Sequence, residues 1–242
     1  MSRRTAAAVV ALLLPSCWLS SIAAGQTTQS SGGPPANAVF LFDGGSLDRW
    51  QYRDGRPADW LLVGDGAMEV RGGDVQTKDE YQDFILHVEF MTPVMPEIVS
   101  GQARGNSGVY LQGRYEVQVL DSHGLAKLAD NDCAAVYKVA APSVDASLPP
   151  GEWQTYDITF TAPRFDEAGK KTANARVTVA WNGQVVHENL EIPGPTGGGD
   201  KETADPGPIR LQDHGNKVRY RNVWIAPTGA PATSPATTRA AP

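Results

Sequence analysis

Between residues 39 and 225 the chain alternates apolar and polar side chains with a period of two, and glycine or proline interrupts the pattern every few residues. Phe84, Leu86, Val88 and Phe90 fall on one face of an extended segment, and His87 and Glu89 fall on the other. In the run from Tyr115 to Val119 the apolar face is Tyr115, Val117 and Val119, while Glu116 and Gln118 point the opposite way. A strand with one buried and one wet face reads this way. Similar segments occur at 107–112, 152–161, 174–181, 185–190, 208–213 and 217–225. Asn182-Gly183 between two of them is a type I′ hairpin signal, because both central residues must take positive φ. Gly64-Asp65-Gly66 marks another turn, and 125–129 is the one weak helical candidate. About a dozen short strands predict an all-β fold, a single antiparallel β-sandwich. The 242 residues are enough for one large domain of that kind.

The ends read differently. Arg3 and Arg4 precede an apolar run from Ala6 to Leu14, Pro15 breaks it, and Ile22-Ala23-Ala24 supplies small residues for cleavage before Gly25. This predicts a signal peptide over 1–25 and an exported, periplasmic or extracellular protein. Leu14-Pro15-Ser16-Cys17 loosely resembles a lipobox, but Pro15 and the apolar Trp18 and Leu19 speak against lipidation. Residues 26–38 are a polar, Gly/Pro-rich linker, and 226–242 form an Ala/Pro/Thr-rich tail with no aromatic or branched aliphatic side chain. Neither buries enough to offset its ordering entropy, which leaves 39–225 as the folded domain. A net charge of −6 argues against a nucleic-acid binder, which needs a basic surface. No internal run reaches the length of a membrane span. With the signal removed, Cys133 is the remaining cysteine, and Ala134, Ala135 and Val136 beside it predict a buried small hydrophobe.

Polar residues converge in two places. The first is the segment from Gly105 to Ser122. A tight bend at Gly113-Arg114 between two strands puts Tyr110, Gln112, Glu116 and Gln118 on one outer face. An aromatic, amides and a carboxylate together suit a sugar, whose hydroxyls pair with amides and carboxylates and whose C–H face packs on a ring. The second runs from Pro206 to Gly215, where Asp213 and His214 sit at a strand end and are able to act as acid, base or metal ligand. Arg221 and Asn222 follow on the next strand, and a change of parity there predicts a β-bulge. On the residues alone, a solvated sheet face and a packed structural histidine remain open readings. The sequence has no GxSxG elbow, HExxH helix, P-loop or EF-hand loop. Glu116 and Asp121 have opposite strand parity, so a two-carboxylate glycosidase pair is unsupported.

Four motifs occur in order: Leu41-Phe42-Asp43-Gly44 with Leu47 and Trp50; Gly105-Asn106-Ser107-Gly108-Val109-Tyr110 running into Tyr115 to Asp121; Gly151-Glu152-Trp153; and Gly207-Pro208-Ile209 through Leu211-Gln212-Asp213-His214-Gly215 to Arg221-Asn222-Val223. Together they resemble the 3-keto-disaccharide hydrolase domain family over roughly 38–226. The resemblance implies a concanavalin/laminarinase-like jelly roll and an exported enzyme acting on 3-oxo glycosides. Three features depart from the family pattern: Gln154 where Asn is usual, an insert at 163–171, and a long Gly-rich loop at 194–206.

A ketone at C3 acidifies the C2 hydrogen, so a base removes that proton and the C1 substituent leaves by β-elimination before water adds. Such a site needs a base, an acid near the leaving oxygen, and donors for the enolate oxygen. Glu116 is the expected base and His214 the expected acid. Arg221 or Gln118 is expected to stabilise the enolate, with Asn106, Tyr110, Gln112 and Asp213 holding substrate. A divalent metal on the ketone oxygen is a further option, with Glu116, Asp213 and His214 as conceivable ligands, though no ligand spacing establishes it. The alternative is a non-catalytic carbohydrate-binding module on the same fold.

Overall fold

The computed structural model describes residues 33–228. The signal peptide expected over 1–25, the linker up to residue 32 and the tail from residue 229 lie outside the described residues. In chain order the strands are β1 (Val39–Phe42), β2 (Trp50–Tyr52), β3 (Leu61–Val63), β4 (Ala67–Glu69), β5 (Val75–Thr77), β6 (Phe84–Met91), β7 (Ser107–Leu111) and β8 (Tyr115–Val119). There follow β9 (Gln154–Thr161), β10 (Arg164–Phe165), β11 (Lys171–Ala173), β12 (Ala175–Trp181), β13 (Gln184–Ile192), β14 (Arg210–Leu211) and β15 (Arg219–Pro227). One sheet has the order β13-β12-β9-β6-β15-β4-β3, with β1 also paired to β15, and the second has the order β2-β5-β14-β7-β8. The insert at 163–171 contributes to a separate ribbon, β10-β11. Pairing within both sheets is antiparallel, and the fold is the all-β sandwich that the alternation predicts and the jelly roll that the resemblance implies.

The period-2 pattern translates directly into the two layers. Phe84, Leu86, Val88 and Phe90 of β6 and Tyr115, Val117 and Val119 of β8 are buried in the core between the sheets. Tyr115 meets Phe160 of β9 across the interface, with ring centroids 5.5 Å apart. Each large apolar side chain so buried contributes about 1.5–3 kcal/mol. Parity then fixes the rest: His87 and Glu89 lie on the outer face of the eight-stranded sheet, and Glu116 and Gln118 on the outer face of the five-stranded one.

Strand β8 ends its sheet, but its edge is covered. Gln118 N–H donates to Ala135 O at 2.9 Å, Ala134 N–H to Gln118 O at 2.9 Å, and Tyr137 N–H to Glu116 O at 3.0 Å. The segment 134–137 thus closes an otherwise open edge and delivers Tyr137 beside Glu116.

Four local expectations meet the structure differently. Asn182 and Gly183 take φ of 49° and 78°, as a type I′ turn requires. The bend between β7 and β8 falls one residue earlier than expected: Gln112 (φ 53°) and Gly113 (φ 66°) are its central residues, and Arg114 N–H donates to Leu111 O at 3.0 Å. Residues 125–129 form no helix; the described helical residues are two short 3-10 turns, Gly64–Gly66 and Gly101–Ala103. The expected bulge is present, with the β15–β6 register shifting between Arg221 and Trp224 and Asn222 at φ 45°. Strand β15 also continues through Pro227, because Ala226 and Pro227 still pair with Ile85 and Phe84.

Cys133 is fully buried, and its thiol packs 3.2 Å from the Tyr156 hydroxyl. Burial pushes the thiol pKa up to about 12, so no thiolate forms near neutrality. Cys133→Ala is expected to lose about 1 kcal/mol of stability with unchanged turnover, as thermal melts beside initial rates would show. Loss of turnover in a folded variant would contradict this.

Candidate active site

Two rows of side chains cross the outer face of the five-stranded sheet. In the first, Arg210 of β14 stands opposite Tyr110 of β7, and Tyr110 stands opposite Glu116 of β8. In the second, Gln212 N–H donates to Gly108 O at 3.0 Å, and Gly108 pairs with Gln118. Gly108 is thus a gap in the middle of the second row, and the Glu116 carboxylate fills it. A Cβ at Gly108 would lie 2.3 Å from Glu116 Oε1. Glycine at 108 is required by this close approach, since its backbone is not in the left-handed region.

A cavity of about 260 Å³ opens above these rows. Its floor is Tyr110, Glu116, Gln118 and Gln212; Gln102, Asn106, Tyr137, His214 and the Gly197–Gly198 backbone wall it. The Gly-rich loop is held down by Thr196, whose N–H donates to Arg114 O and whose hydroxyl accepts from Glu116 N–H. Gly198, at φ 74°, passes so close to Tyr110 that a Cβ would stand 2.9 Å from its hydroxyl.

Glu116 is 3% exposed. Desolvation by burial raises its pKa from 4.5 to about 7; the Tyr110 hydrogen bond and the Arg210 charge oppose that rise, and Asp74 adds to it. The Tyr110 hydroxyl lies 2.9 Å from Glu116 Oε2 and 2.8 Å from Gly197 O. It has one proton for these two acceptors. Ionised Glu116 draws that proton; protonated Glu116 donates to the Tyr110 oxygen instead, and Tyr110 then donates to Gly197 O. Burial, then the Glu116 charge, raises the Tyr110 pKa, so Tyr110 stays neutral. Glu116 Oε1 takes no hydrogen bond from any described residue. A buried carboxylate with a pKa near neutrality, one oxygen anchored and the other open, is equipped for general-base chemistry.

Arg210 supports this pair from beneath. Its guanidinium stacks 4.0 Å from the Tyr110 ring centroid and donates to Gly198 O at 2.7 Å. It is 1% exposed and reaches Asp200 at 3.4 Å and Asp74 at 3.8 Å.

Of the residues expected at the site, the structure brings Glu116, Tyr110, Gln118, Asn106 and His214 together around one cavity. Three others stand elsewhere. Gln112 belongs to the turn, where its amide donates to Tyr81 O at 2.9 Å and accepts from Arg114 at 2.9 Å. Asp213 pins its strand end, with its two oxygens accepting from Gly73 N–H at 2.7 Å and Gly215 N–H at 2.8 Å. Arg221 lies on the outer face of the eight-stranded sheet, bound to Glu89 at 2.6 Å and stacked 4.0 Å from the Trp153 ring. Both sheets separate it from Glu116, because β15 pairs with β6, where Arg221 stands opposite Glu89. Glu116, Asp213 and His214 do not form a common ligand set, and no three His, Cys, Asp or Glu side chains among the described residues are placed to hold a metal ion. Asp121 is also occupied, in an ion pair with Arg104 at 2.6 Å. Gln154, the departure from the family pattern, accepts from Trp181 Nε1 at 2.9 Å, at the buried start of β9 and outside the cavity lining.

Sequence reasoning missed Arg210, Gln212, Gln102 and Tyr137. Arg210 and Gln212 share the wet parity of Glu116's sheet and were findable from that. Gln102 and Tyr137 arrive from irregular segments, which carry no periodic signal.

The fold of this sandwich is shared by known relatives. Residues 37–226 match the 3-keto-alpha-glucoside-1,2-lyase-like domain, and the chain belongs to that family. A solved structure of a candidate glycosyl hydrolase from Parabacteroides distasonis ATCC 8503 is 39% identical, covers 80% of this chain and 84% of its own, and superposes with a TM-score of 0.72. A second candidate glycosyl hydrolase from that organism is 26% identical over 78% of this chain and 98% of its own, with a TM-score of 0.53. A third, at 18% identity over 80% of this chain and 94% of its own, shares the fold with a TM-score of 0.59. A search of curated proteins finds no match.

Proposed function

We propose that this protein is a carbohydrate-active enzyme that cleaves 3-keto glycosides by elimination and hydration. The observation that carries the reading is Glu116: a buried carboxyl with a pKa raised to about 7, in a polar cavity of about 260 Å³, just below the ~300–1,000 Å³ of most ligand pockets. Family membership supports the substrate class, and the signal-type segment at 1–25 supports an exported enzyme.

Glu116 Oε1 accepts the C2 proton, and the C2–H electron pair moves to form the enolate of the C3 ketone. As the ketone re-forms, the C1–O bond breaks and its electrons leave with the glycosidic oxygen. His214, at the cavity wall with no hydrogen-bond partner among the described residues, protonates that oxygen. Water then adds at C1 and gives its proton to His214, while Glu116, its carboxyl proton exchanged with solvent, protonates C2, which completes a net hydrolysis and restores both groups. Gln118 spends its amide hydrogens on Gln102 Oε1 and Asn131 O, so it holds the wall in place. Gln212, on the floor beside Glu116, has an amide hydrogen to spare for the enolate, since its Nε2 has the Tyr110 hydroxyl at 3.3 Å as its one partner.

Incubation with a 3-keto-glucoside tests this by aglycone release. The base must be ionised to act, so kcat/KM is expected to fall as pH drops below about 7. Binding of intact glycans without cleavage would favour the binding-module reading instead.

A further inference from the structure

The hydrogen-bond inventory of the cavity is lopsided. Asn106 commits its amide hydrogens to Gln102, at 2.7 Å to the backbone oxygen and 3.4 Å to the side chain. Gln118 uses both of its hydrogens, and its oxygen accepts from Val119 N–H. Gln102 and Gln212 each keep one amide hydrogen, and three acceptors are left over beside them. Among the described residues, four buried side-chain polar atoms have no partner, and two of them are amide oxygens of cavity residues, Asn106 Oδ1 and Gln212 Oε1. Glu116 Oε1 is a third open acceptor.

Neither amide is free to exchange its ends at no cost. Turning Asn106 over would set its oxygen against the Gln102 carbonyl. Turning Gln212 over would set its oxygen against the Tyr110 hydroxyl, whose one proton is committed to Glu116 or Gly197 O. Gln212 lines the cavity, and its terminal torsion is soft enough to turn toward a ligand there. Buried acceptors without donors are unfavourable until a ligand supplies the donors.

We propose that Gln212 and Asn106 are the specificity residues of this cavity, reading hydroxyl donors on a neutral, polyhydroxylated ring. The proposal rests on the 3-keto glycoside reading and refines it. A ketone oxygen only accepts, so it meets the amide hydrogen of Gln212 and neither of these two oxygens. The hydroxyls they read lie off the reacting C1–C3 edge, at C4 and C6. A carboxylate or phosphate brought against these two oxygens would meet acceptors only, so the groups they read are neutral hydroxyls.

The test is a set of rates with 3-keto-glucoside, its 4-deoxy and 6-deoxy analogues and its uronic acid counterpart. For the unaltered protein, at least one deoxy analogue is expected to lose ~10–100-fold in kcat/KM, and the uronic acid more. In Gln212→Met or Asn106→Ala, the ratio of the parent to the deoxy analogue that the removed oxygen reads should collapse, although Gln212→Met also slows both by removing the enolate donor. Parent cleavage with all analogues within about threefold of it would overturn this inference alone. A deoxy penalty that survives both substitutions would overturn it equally. Failure to cleave or bind the parent would overturn the functional reading and this inference together. The comparison among analogues uses the unaltered protein, so it holds even if a variant fails to fold.

Discussion

Glu116→Gln is expected to abolish turnover of a 3-keto glycoside, by ~10²–10⁴-fold for a lost general base, while the domain stays folded. The side chain lies on the outer face of β8, where the amide keeps its shape and still accepts from Tyr110, and the core beneath it is untouched. The same substitution has a second signature. The folded-state pKa of Glu116, raised from 4.5 to about 7, means that the folded protein holds this proton more tightly than the unfolded chain does. The stabilisation is present in full below the unfolded pKa and is lost as pH rises through 7. At alkaline pH a charged, desolvated carboxylate therefore costs up to about 3 kcal/mol. Glu116→Gln should match the unaltered protein in melts at acid pH and exceed it above about pH 8. An inactive variant that is also more stable at alkaline pH would identify a carboxyl held in place for chemistry. An active variant would move the base to His214 or another group.

Gly108→Ala is the second large effect. The added methyl meets Glu116 Oε1 at 2.3 Å and Cδ at 3.0 Å. Those atoms are the far end of a side chain, so the carboxylate swings aside and the strand pairing persists. Overpacking of this kind costs ~1–3 kcal/mol. Displacing a reacting group by about 1 Å costs ~10²-fold in rate. Activity should therefore fall far more than stability, which kcat/KM read beside a melting curve would reveal. Equal activity in Gly108→Ala would mean that the present position of Glu116 is not the working one.

Much of the architecture is legible in the sequence because burial of one sheet face writes itself as alternation. The runs at 84–90 and 115–119 set both the core and the outer faces, and with them the exposure of Glu116 to a cavity. The failures are local and have a common cause. Gln112 has the parity of Glu116, but positive φ at Gln112 and Gly113 turns the chain there and sends the side chain to Tyr81. Arg221 follows the family motif, yet parity cannot say which of two sheets a strand joins. Strand β15 joins the sheet that turns its outer face away from the cavity. Asp213 and His214 are neighbours in sequence, but the strand end directs one to backbone amides and the other to the cavity wall. Arg210 was visible by parity, but only the register of β14 against β7 sets it under Tyr110.

The central claim is that Glu116 removes the C2 proton before the C1 bond breaks. The most direct measurement is the isotopic content of the sugar released from a 3-keto-glucoside in deuterium oxide, sampled early and compared with released sugar incubated without enzyme. Elimination followed by hydration predicts one solvent deuteron at C2 of the product, installed at the rate of aglycone release. Release of product that keeps its original C2 hydrogen would contradict the account, since direct displacement at C1 leaves C2 untouched.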